Sequence, residues 1–222
     1  LGIAVLVSFP PLRRKAYELF RGLHLLTSAM IGLSLWLHIA EPTIVERIQI
    51  IAATVLWGAT HLYRIGNLMY RNTPWSSNRT TIGIVPFGKS LQVNIKPGKY
   101  WKVKPGQYVY LTIPSLSFTS RIQRHPFMVT PSNDSDSLDI VIQPQNGFTK
   151  RLCNSSSIPK AWIEGPYGLP YSLHDFGTVV MFASGIGISG HLLYLQQLCN
   201  DYQEYRIKTR EVRVIWIADN PH

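Results

Sequence analysis

Cysteine and charged residues are scarce in this chain of 222 residues. Only Cys153 and Cys199 are present, which excludes a disulfide framework and a cysteine-rich zinc site. Charged residues make up 15% of the sequence, whereas typical soluble domains have roughly 25%. Hydrophobic residues make up 45%, which excludes a disordered chain, and no short repeat indicates a low-complexity protein. The composition argues against a single compact soluble unit.

The charges that are present are unbalanced. The chain has 22 Lys and Arg residues against 12 Asp and Glu residues, a formal charge of +10. Such a balance is typical of proteins that meet nucleic acid, an anionic membrane surface or phosphate-bearing cofactors. Because the chain begins at Leu1 and stops at His222 directly after an apolar run, we expect it to be a piece of a longer protein.

Two apolar stretches in the first third predict a pair of membrane helices, at about residues 19–40 and 46–63. The first has no charge across residues 25–37, and 22 residues at about 1.5 Å each span roughly the 30 Å of a bilayer core. The second is shorter and crosses only if it begins near residue 44 or tilts little. By length alone, two buried helices of a soluble protein are the alternative.

Basic residues flank both outer ends of this pair of helices. They are Arg13, Arg14, Lys15, Arg21, Arg64 and Arg71. The intervening loop carries Glu41 and Glu46, with Arg47 as its only basic residue. The positive-inside rule therefore predicts a helical hairpin that enters and leaves the membrane from the cytoplasmic side.

A change of pattern after residue 70 predicts two further domains. Strand-like runs at 81–87, 91–95, 107–113, 127–130 and 138–142, separated by Pro-Gly turns, predict a small antiparallel β-barrel over residues 76–172. Residues 164–168 predict a tight turn that ends it. From residue 173, a strand, a helix and a strand predict the start of an α/β domain that continues to 222. Residues 1–70 are the predicted membrane part.

Two histidines lie on the first predicted membrane helix. His24 and His38 are fourteen residues apart, which puts them within roughly 40° of one face and about 21 Å apart along the axis. Polar residues inside a span usually mark function, and imidazole is a common axial ligand of haem iron. The spacing fits two stacked haems, but two interfacial histidines fit it equally well. We interpret His61 as interfacial.

Two glycine-containing motifs suggest sites for phosphate groups. In the first, Gly147 allows close backbone approach and Thr149 can cap a helix whose free N–H groups would bind pyrophosphate. Taken alone, an ordinary helix cap explains this motif better. In the second, residues 185–190 match G-x-G-x-x-G between a strand and a helix. In a standard dinucleotide site an acidic residue that binds the ribose follows about 20 residues on, at the end of the next strand. Here that strand ends at Asp219, which is too far along the chain. We therefore predict a phosphate cradle rather than a standard dinucleotide site.

In combination, these motifs resemble the ferric reductase/NADPH oxidase family. The series is a His-x13-His membrane helix, HPF on a strand, GFT at a helix start, EGPYG, and GIGIS between a strand and a helix. The RRKAYELFRGLH run and the HPFMV form are most similar to fungal ferric-chelate reductases. The resemblance implies a ferredoxin-reductase-like fold for the barrel and the α/β domain.

The resemblance also implies roles for individual residues. His24 would ligate an inner haem b and His38 an outer one. The residues that would bind FAD are His125, at the pyrophosphate, Pro126, Phe127, near the flavin, and Met128, together with Gly147 and Thr149. The residues that would bind the NADPH pyrophosphate are Gly185, Gly187, Ile188 and Ser189. Met128 stands where the family often has threonine.

The implied function is electron transfer from cytosolic NADPH, through FAD and haem, to an acceptor outside. Chelated Fe(III) or Cu(II) is the expected acceptor, and dioxygen, giving superoxide, is the alternative within the family. A membrane-tethered flavin reductase without haem and a non-enzymatic membrane module also remain open. We expect an integral membrane protein, in the plasma membrane, with cytoplasmic FAD and NADPH domains and no nucleic-acid partner. The sequence does not predict the oligomeric state.

Overall fold

The computed structural model describes residues 17–38, 43–72, 80–121, 123–145, 147–154 and 160–218. Contacts within the chain divide it into a first unit, residues 1–64, and a second unit, residues 65–222. Helix α1 is Tyr17–His38 and helix α2 is Ile44–Asn72. Both predicted helices are present.

The ends of α2 differ from the predicted range of 46–63. Its start is defined by a capping box: Thr43 N–H donates to the Glu46 carboxylate at 2.8 Å, and Glu46 N–H donates to the Thr43 hydroxyl at 3.4 Å. At the other end the helix continues to Asn72. The predicted end at residue 63 was based on hydrophobicity. The last turns of the helix are more polar, so hydrophobicity does not reveal that they are helical.

Within the described residues, no helix combines the length and the apolar character that a membrane crossing requires. The membrane hairpin stays a prediction.

The second unit contains a six-stranded antiparallel sheet; we keep the name barrel for it, although the two strands at the ends of the sheet order do not pair with each other in the described residues. Its strands are β1 Thr81–Phe87, β2 Ser90–Lys96, β3 Tyr108–Thr112, β4 His125–Thr130, β5 Leu138–Ile142 and β6 Trp162–Tyr167. Neighbouring strands follow the order β1-β2-β5-β4-β3-β6. The prediction of an antiparallel sheet domain is confirmed.

Alternating side chains explain why the barrel forms. In β2, Leu91, Val93 and Ile95 are buried, whereas the residues between them are only partly buried. All six strands contribute to one apolar core, and Phe148 and Leu152 of the short helix α3, Phe148–Cys153, complete it. Burial of this core is the main favourable contribution to folding of the barrel.

The tight turn predicted for residues 164–168 is wrong. Residues 164–167 belong to β6, which pairs with β3 from Tyr108 to Thr112. Gly165 and Pro166 resemble turn residues in the sequence, but β6 lies at the edge of the sheet, where a proline without an N–H group is tolerated.

The predicted strand–helix–strand unit is present after the barrel. Strand β7, Thr178–Ser184, pairs in parallel with β8, Glu211–Ile217, and helix α4, Ser189–Gln203, lies between them in the chain. A 3₁₀ turn, Gly185–Ile188, joins β7 directly to α4. Asp219, the predicted end of the last strand, lies outside the described residues.

Candidate functional site

The first residues of β4 lie beside the start of α3. Strand β4 pairs with β3 from His125 to Met128, but it pairs with β5 only at its last two residues. At its first residue, the imidazole of His125 stacks on the ring of Phe148, with centroids 4.1 Å apart and planes inclined by 23°. Phe148 is the first residue of α3 and belongs to the barrel core. The two motifs predicted to contact FAD are therefore adjacent.

The start of α3 depends on the backbone conformation of Gly147. This residue has φ of 83° and ψ of −123°, which strongly favour glycine. A Cβ atom there would have no heavy atom within 4 Å, so the space beside Gly147 is open. Exposed basic side chains follow at Lys150 and Arg151. An open backbone beside first-turn N–H groups and two cations fits a pyrophosphate.

Thr149 does not cap this helix as the sequence suggested. The cap position is Gly147, and no side chain supplies a capping hydrogen bond. The Thr149 hydroxyl instead accepts a hydrogen bond from Gln145 N–H at 2.8 Å and donates to the Gln145 carbonyl at 3.3 Å. Because Thr149 lies within the first turn, its side chain bonds back to the preceding loop and holds the loop onto the helix.

The register of β4 assigns its predicted FAD residues to two faces. Phe127 is opposite Val109 and packs against the barrel core, on the same face as His125. Pro126 is exposed and opposite Tyr110, and Met128 is opposite Tyr108 on that second face.

A charged and aromatic cluster beside β4 was not predicted from the sequence. Arg124 Nη1 lies 3.2 and 3.1 Å from the two carboxylate oxygens of Glu164, which is buried. Tyr167 donates a hydrogen bond of 2.6 Å to the same carboxylate. The guanidinium lies 5.1 Å from the ring centroid of Tyr110. Burial, followed by a hydrogen bond with Tyr108, raises the pKa of the Tyr110 phenol.

The cluster holds Arg124, which directly precedes His125, in a fixed place. Arg124 and Glu164 are 40 residues apart in the chain, so no local pattern relates them. The only sequence signal was a basic residue directly before the HPF motif. Because the buried Glu164 carboxylate accepts hydrogen bonds from the Arg124 guanidinium and the Tyr167 phenol, the three side chains are held in one arrangement.

The glycine-rich motif forms the predicted link between β7 and α4. Gly185 has φ of 49° and begins the 3₁₀ turn, and the Trp216 indole N–H donates to the Gly185 carbonyl at 2.9 Å. Gly187 is exposed, and a Cβ there would meet nothing within 4 Å. Ile188 ends the turn, and buried Ser189 begins α4. The strand–turn–helix context required of a phosphate-binding turn is present.

Met128 brings the two motifs together. A Cβ on Gly190, the last glycine of the second motif, would lie 3.7 Å from Met128 Cε and 3.9 Å from Cγ. The side chain that replaces the family's threonine thus packs against the first turn of α4. Thr130, on the same face of β4, is buried and pairs with Asp139, away from this contact.

The predicted haem ligands lie on α1, in the first unit. His24 is exposed, and its ring stacks on that of Phe20 with centroids 5.6 Å apart. His38 is the last residue of α1. The His61 ring is tilted by 39° against that of Trp57, with centroids 4.2 Å apart, and its Nδ1 lies 2.9 Å from the Trp57 carbonyl oxygen. In the part of the chain that the structure describes, no three His, Cys, Asp or Glu side chains group as a metal site would require.

Comparison with known proteins identifies the relatives of this chain. Residues 76–171 match a family of FAD-binding domains. The Saccharomyces cerevisiae protein named ferric reductase transmembrane component 4 is 31% identical over 207 residues, 89% of this chain and 27% of that protein. Ferric/cupric reductase transmembrane component 7 of the same yeast is 30% identical over 201 residues, 89% of this chain and 32% of that protein.

The chain is similar in sequence to these fungal ferric reductases over most of its length. The predicted resemblance to this family is confirmed, and the chain spans about a third or less of these two relatives. A ferredoxin NADP⁺ reductase from Neisseria gonorrhoeae, solved with bound FAD and NADP, matches 64% of this chain and 57% of that chain with a TM-score of 0.50 and 19% identity. This likeness confirms the ferredoxin-reductase-like fold.

Proposed function

We propose that this chain is part of a membrane reductase that moves electrons from cytosolic NADPH to chelated Fe(III) or Cu(II) outside. The observation that carries the proposal is the proximity of Met128 to Gly190, where an added Cβ would lie 3.7 Å from Met128 Cε. It makes the strand of the predicted flavin motif and the turn of the predicted nicotinamide motif direct neighbours. The names of the fungal relatives support the choice of metal chelates as the acceptor.

The flavin site that we propose lies between β4 and α3. The N–H groups at the start of α3, with Lys150 and Arg151, would bind the FAD pyrophosphate, and His125 would donate a hydrogen bond to it. Stacking on Phe148 fixes the plane of the His125 ring. Met128 and Pro126 would border the flavin from the second face of β4. Arg124, held by Glu164, would keep the start of β4 in position.

The nicotinamide site that we propose is the turn before α4. Gly185 and Gly187 would let the backbone approach the NADPH pyrophosphate, while Ile188 and Ser189 offer the first N–H groups of the helix. The bond from the Trp216 indole holds the turn in one conformation before the cofactor binds. Packing of Gly190 against Met128 would direct the nicotinamide ring toward the flavin.

The membrane part that we propose consists of α1 and α2. Leu25, Met30, Trp36 and Leu37 on α1 are more than half exposed, at 59%, 58%, 52% and 71%. Exposed apolar surface of this extent indicates an apolar partner, and a lipid bilayer matches the uncharged length of α1. His24 and His38 would each supply one imidazole to a haem b, whose second ligand would come from another helix.

The overall reaction balances as NADPH plus two Fe(III) giving NADP⁺, one proton and two Fe(II). When bound, FAD accepts the hydride as an electron pair and the haems carry single electrons. The chain's own residues would bind FAD, NADPH and haem b at the sites proposed above. The proton remains on the cytoplasmic side with NADP⁺.

The direct test uses full-length protein in sealed vesicles that enclose a Fe(III) chelate. NADPH is added outside, and enclosed Fe(II), superoxide and reduction of an external dye are measured in parallel. We expect enclosed Fe(II) that is insensitive to superoxide dismutase. Superoxide as the main product would indicate an oxidase, and dye reduction without enclosed Fe(II) would indicate a tethered flavin reductase.

A further inference from the structure

Helix α4 packs on the barrel with one face of its first half. Both belong to the second unit of the chain. A Cβ on Gly190 would lie 3.7 Å from Met128 Cε on β4, Leu193 packs against the barrel core, and Tyr194 adjoins the loop before β3. Residues at positions i, i+3 and i+4 share one face of an α-helix. These three positions therefore form a continuous face toward the barrel.

Gly106, in the loop before β3, lets Tyr194 come close to the barrel. A Cβ atom added to Gly106 would lie 3.1 Å from Cζ and 3.2 Å from Cε2 of the Tyr194 ring, and nearer still to its hydroxyl. A Cβ added to Gly168, the residue after β6, would lie 2.8 Å from the Gly106 carbonyl oxygen. A side chain at either position would force its neighbour to move. The loop is thus confined by two close approaches, one of them from α4.

The side chain of Tyr194 contacts three segments at once. Its hydroxyl lies beside Gly106 and accepts a hydrogen bond of 3.1 Å from Tyr171 N–H, in the segment that joins the barrel to β7. Its ring packs against a second apolar core, whose buried residues are Val179, Met181 and Leu198. Tyr194 therefore ties the barrel loop, the connecting segment and the α/β part (β7, α4 and β8) together.

The connecting segment is also fixed to the α/β part at His174. The Nε2 atom of His174 lies 3.0 Å from Oδ2 of Asp201, a buried residue of α4, and its carbonyl accepts from Lys208 N–H at 2.8 Å. The Leu173 carbonyl accepts from the Thr209 hydroxyl at 3.1 Å. Because these bonds hold the segment to α4 and to the residues before β8, the segment and the α/β part form one assembly. Tyr194 lies where this assembly meets the barrel.

We propose that Tyr194 is a positioning residue for hydride transfer from NADPH to FAD. This inference rests on the proposed function, which puts the flavin beside β4 and the NADPH pyrophosphate at the turn before α4. In that step one hydride, with its electron pair, passes from the nicotinamide to the flavin and leaves NADP⁺. Tyr194 belongs to neither proposed site. It lies about one helical turn beyond Gly190, and it fixes where the start of α4 stands relative to β4, and with it the gap that the hydride crosses.

The test uses two pairs of variants in the full-length protein. Tyr194→Phe removes the hydroxyl and keeps the ring. Its control is Tyr202→Phe, because Tyr202 lies on the same helix and is 53% exposed. Tyr194→Ala removes the whole side chain. Its control is Leu195→Ala, because Leu195 packs against the same second core, so this pair separates loss of positioning from loss of core packing.

Kinetics and distances are measured for each protein. Stopped-flow absorbance of the bound flavin gives the rate of its reduction by saturating NADPH, and titrations give the dissociation constants of FAD and NADP⁺. In the apoprotein, pulsed EPR between spin labels at Cys153 on α3 and Cys199 on α4, both exposed, reports the placement of α4 relative to the barrel. Any cysteine elsewhere in the full-length protein is replaced by serine for that measurement.

In Tyr194→Ala we expect flavin reduction to slow roughly tenfold or more, since misplacement by about 1 Å can cost up to a hundredfold in rate. The distribution of label distances should broaden, and both dissociation constants should stay unchanged. Tyr194→Phe should fall between Tyr194→Ala and the wild type, because it keeps the packing of the ring and loses the bond from Tyr171. Tyr202→Phe and Leu195→Ala should keep the wild-type rate and distances.

A wild-type rate in Tyr194→Ala would overturn the positioning role, and so would a slowed rate with unchanged label distances. Equal slowing in Tyr194→Ala and Leu195→Ala would also overturn it, because the effect would then be one of stability. If Tyr194→Ala does not fold, equal rates in Tyr194→Phe and Tyr202→Phe would overturn the role. If NADPH did not reduce the flavin of the wild type, the proposed function itself would fail, whatever the label distances of the variants.

Discussion

The imidazole of His125 and the ring of Phe148 form a stacked pair, 4.1 Å between centroids, that joins the first residue of β4 to the first residue of α3. The pair connects the two motifs that sequence resemblance assigns to FAD. It also gives His125 a packing role besides its proposed role at the pyrophosphate. The two roles can be separated by experiment.

We predict that His125→Ala weakens FAD binding far more than it destabilises the fold. A charge-assisted hydrogen bond to the ligand contributes about 1.5–3 kcal/mol, which corresponds to a roughly ten- to hundredfold higher dissociation constant. Loss of an aromatic pair costs only about 0.5–1.5 kcal/mol of stability. Titration of the apoprotein with FAD, followed by flavin fluorescence, measures the constant. Phe148→Leu is the control that removes the stack and keeps the imidazole; an unchanged constant in His125→Ala would remove His125 from the site.

Replacing Glu164 by Gln should destabilise the barrel. The amide still accepts from Tyr167, but Arg124 keeps its charge and loses the opposing carboxylate, at a cost of about 3 kcal/mol. Glu211→Gln is the control, because the Glu211–Arg213 pair is exposed and worth at most about 1 kcal/mol. Urea unfolding midpoints measure both. Equal urea midpoints in Glu164→Gln and Glu211→Gln would mean that the buried Arg124–Glu164 pair stabilises the fold no more than the exposed pair does.

The ion pair between Asp134 and Lys96 predicts a defined dependence on pH. The Lys96 hydrogen bond, 2.7 Å long, lowers the pKa of Asp134 from 3.8, and the same bond raises the pKa of Lys96 from 10.5. The pair therefore stabilises the fold at neutral pH. Its contribution is lost as pH falls through the lowered pKa of Asp134 and as pH rises through the raised pKa of Lys96.

Lys96→Met should return the pKa of Asp134 toward 3.8, as measured by NMR titration of its carboxyl carbon. Asp136→Asn is the control and should leave that pKa lowered, since Asp136 offers Asp134 only a backbone N–H, which the variant keeps. A pKa of Asp134 that does not move in Lys96→Met would show that the pair does not form in solution.

Local sequence patterns predicted much of the barrel. Strands β1 and β5 have the predicted bounds because their β-branched residues and their flanking turns are local signals. Strand β6 was missed because Gly165 and Pro166 imitate a turn, whereas in the structure they lie at a shift of the β3–β6 register in a strand at the sheet edge. The end of α2 depends on Asn72 and Ile163, 91 residues apart in the chain, which no local pattern reveals.

The candidate site was predicted in its parts but not in its assembly. The glycine turn before α4 and the start of α3 were found because glycine at a strand–helix junction is a local requirement. The contact of Met128 with Gly190 and the pair of Arg124 with Glu164 arise from packing between distant segments. Such contacts become visible only when the fold is known.

We predict that none of the three N-glycosylation sequons carries a glycan when the protein is made in a eukaryotic membrane. They are Asn78-Arg79-Thr80, Asn133-Asp134-Ser135 and Asn154-Ser155-Ser156. Asn78 lies outside the described residues. Asn133 and Asn154 are exposed, so burial would not protect these two from glycosylation, whereas a cytoplasmic location would. A mobility shift after endoglycosidase treatment that disappears in Asn133→Gln would invert the topology and the direction of electron flow.

We propose that His24 and His38 bind haem on the route of the electrons. The most direct measurement is the reduced-minus-oxidised absorption spectrum of full-length protein in membranes, for the wild type, His24→Ala, His38→Ala and His61→Ala. We predict a sharp haem α-band in the wild type and in His61→Ala, because the His61 imidazole bonds to Trp57 in its own helix. His24→Ala and His38→Ala should each lose haem signal and ferric reduction while dye reduction survives. A wild type without the α-band, or an unchanged band in both His24→Ala and His38→Ala, would contradict the assignment of these two histidines as haem ligands.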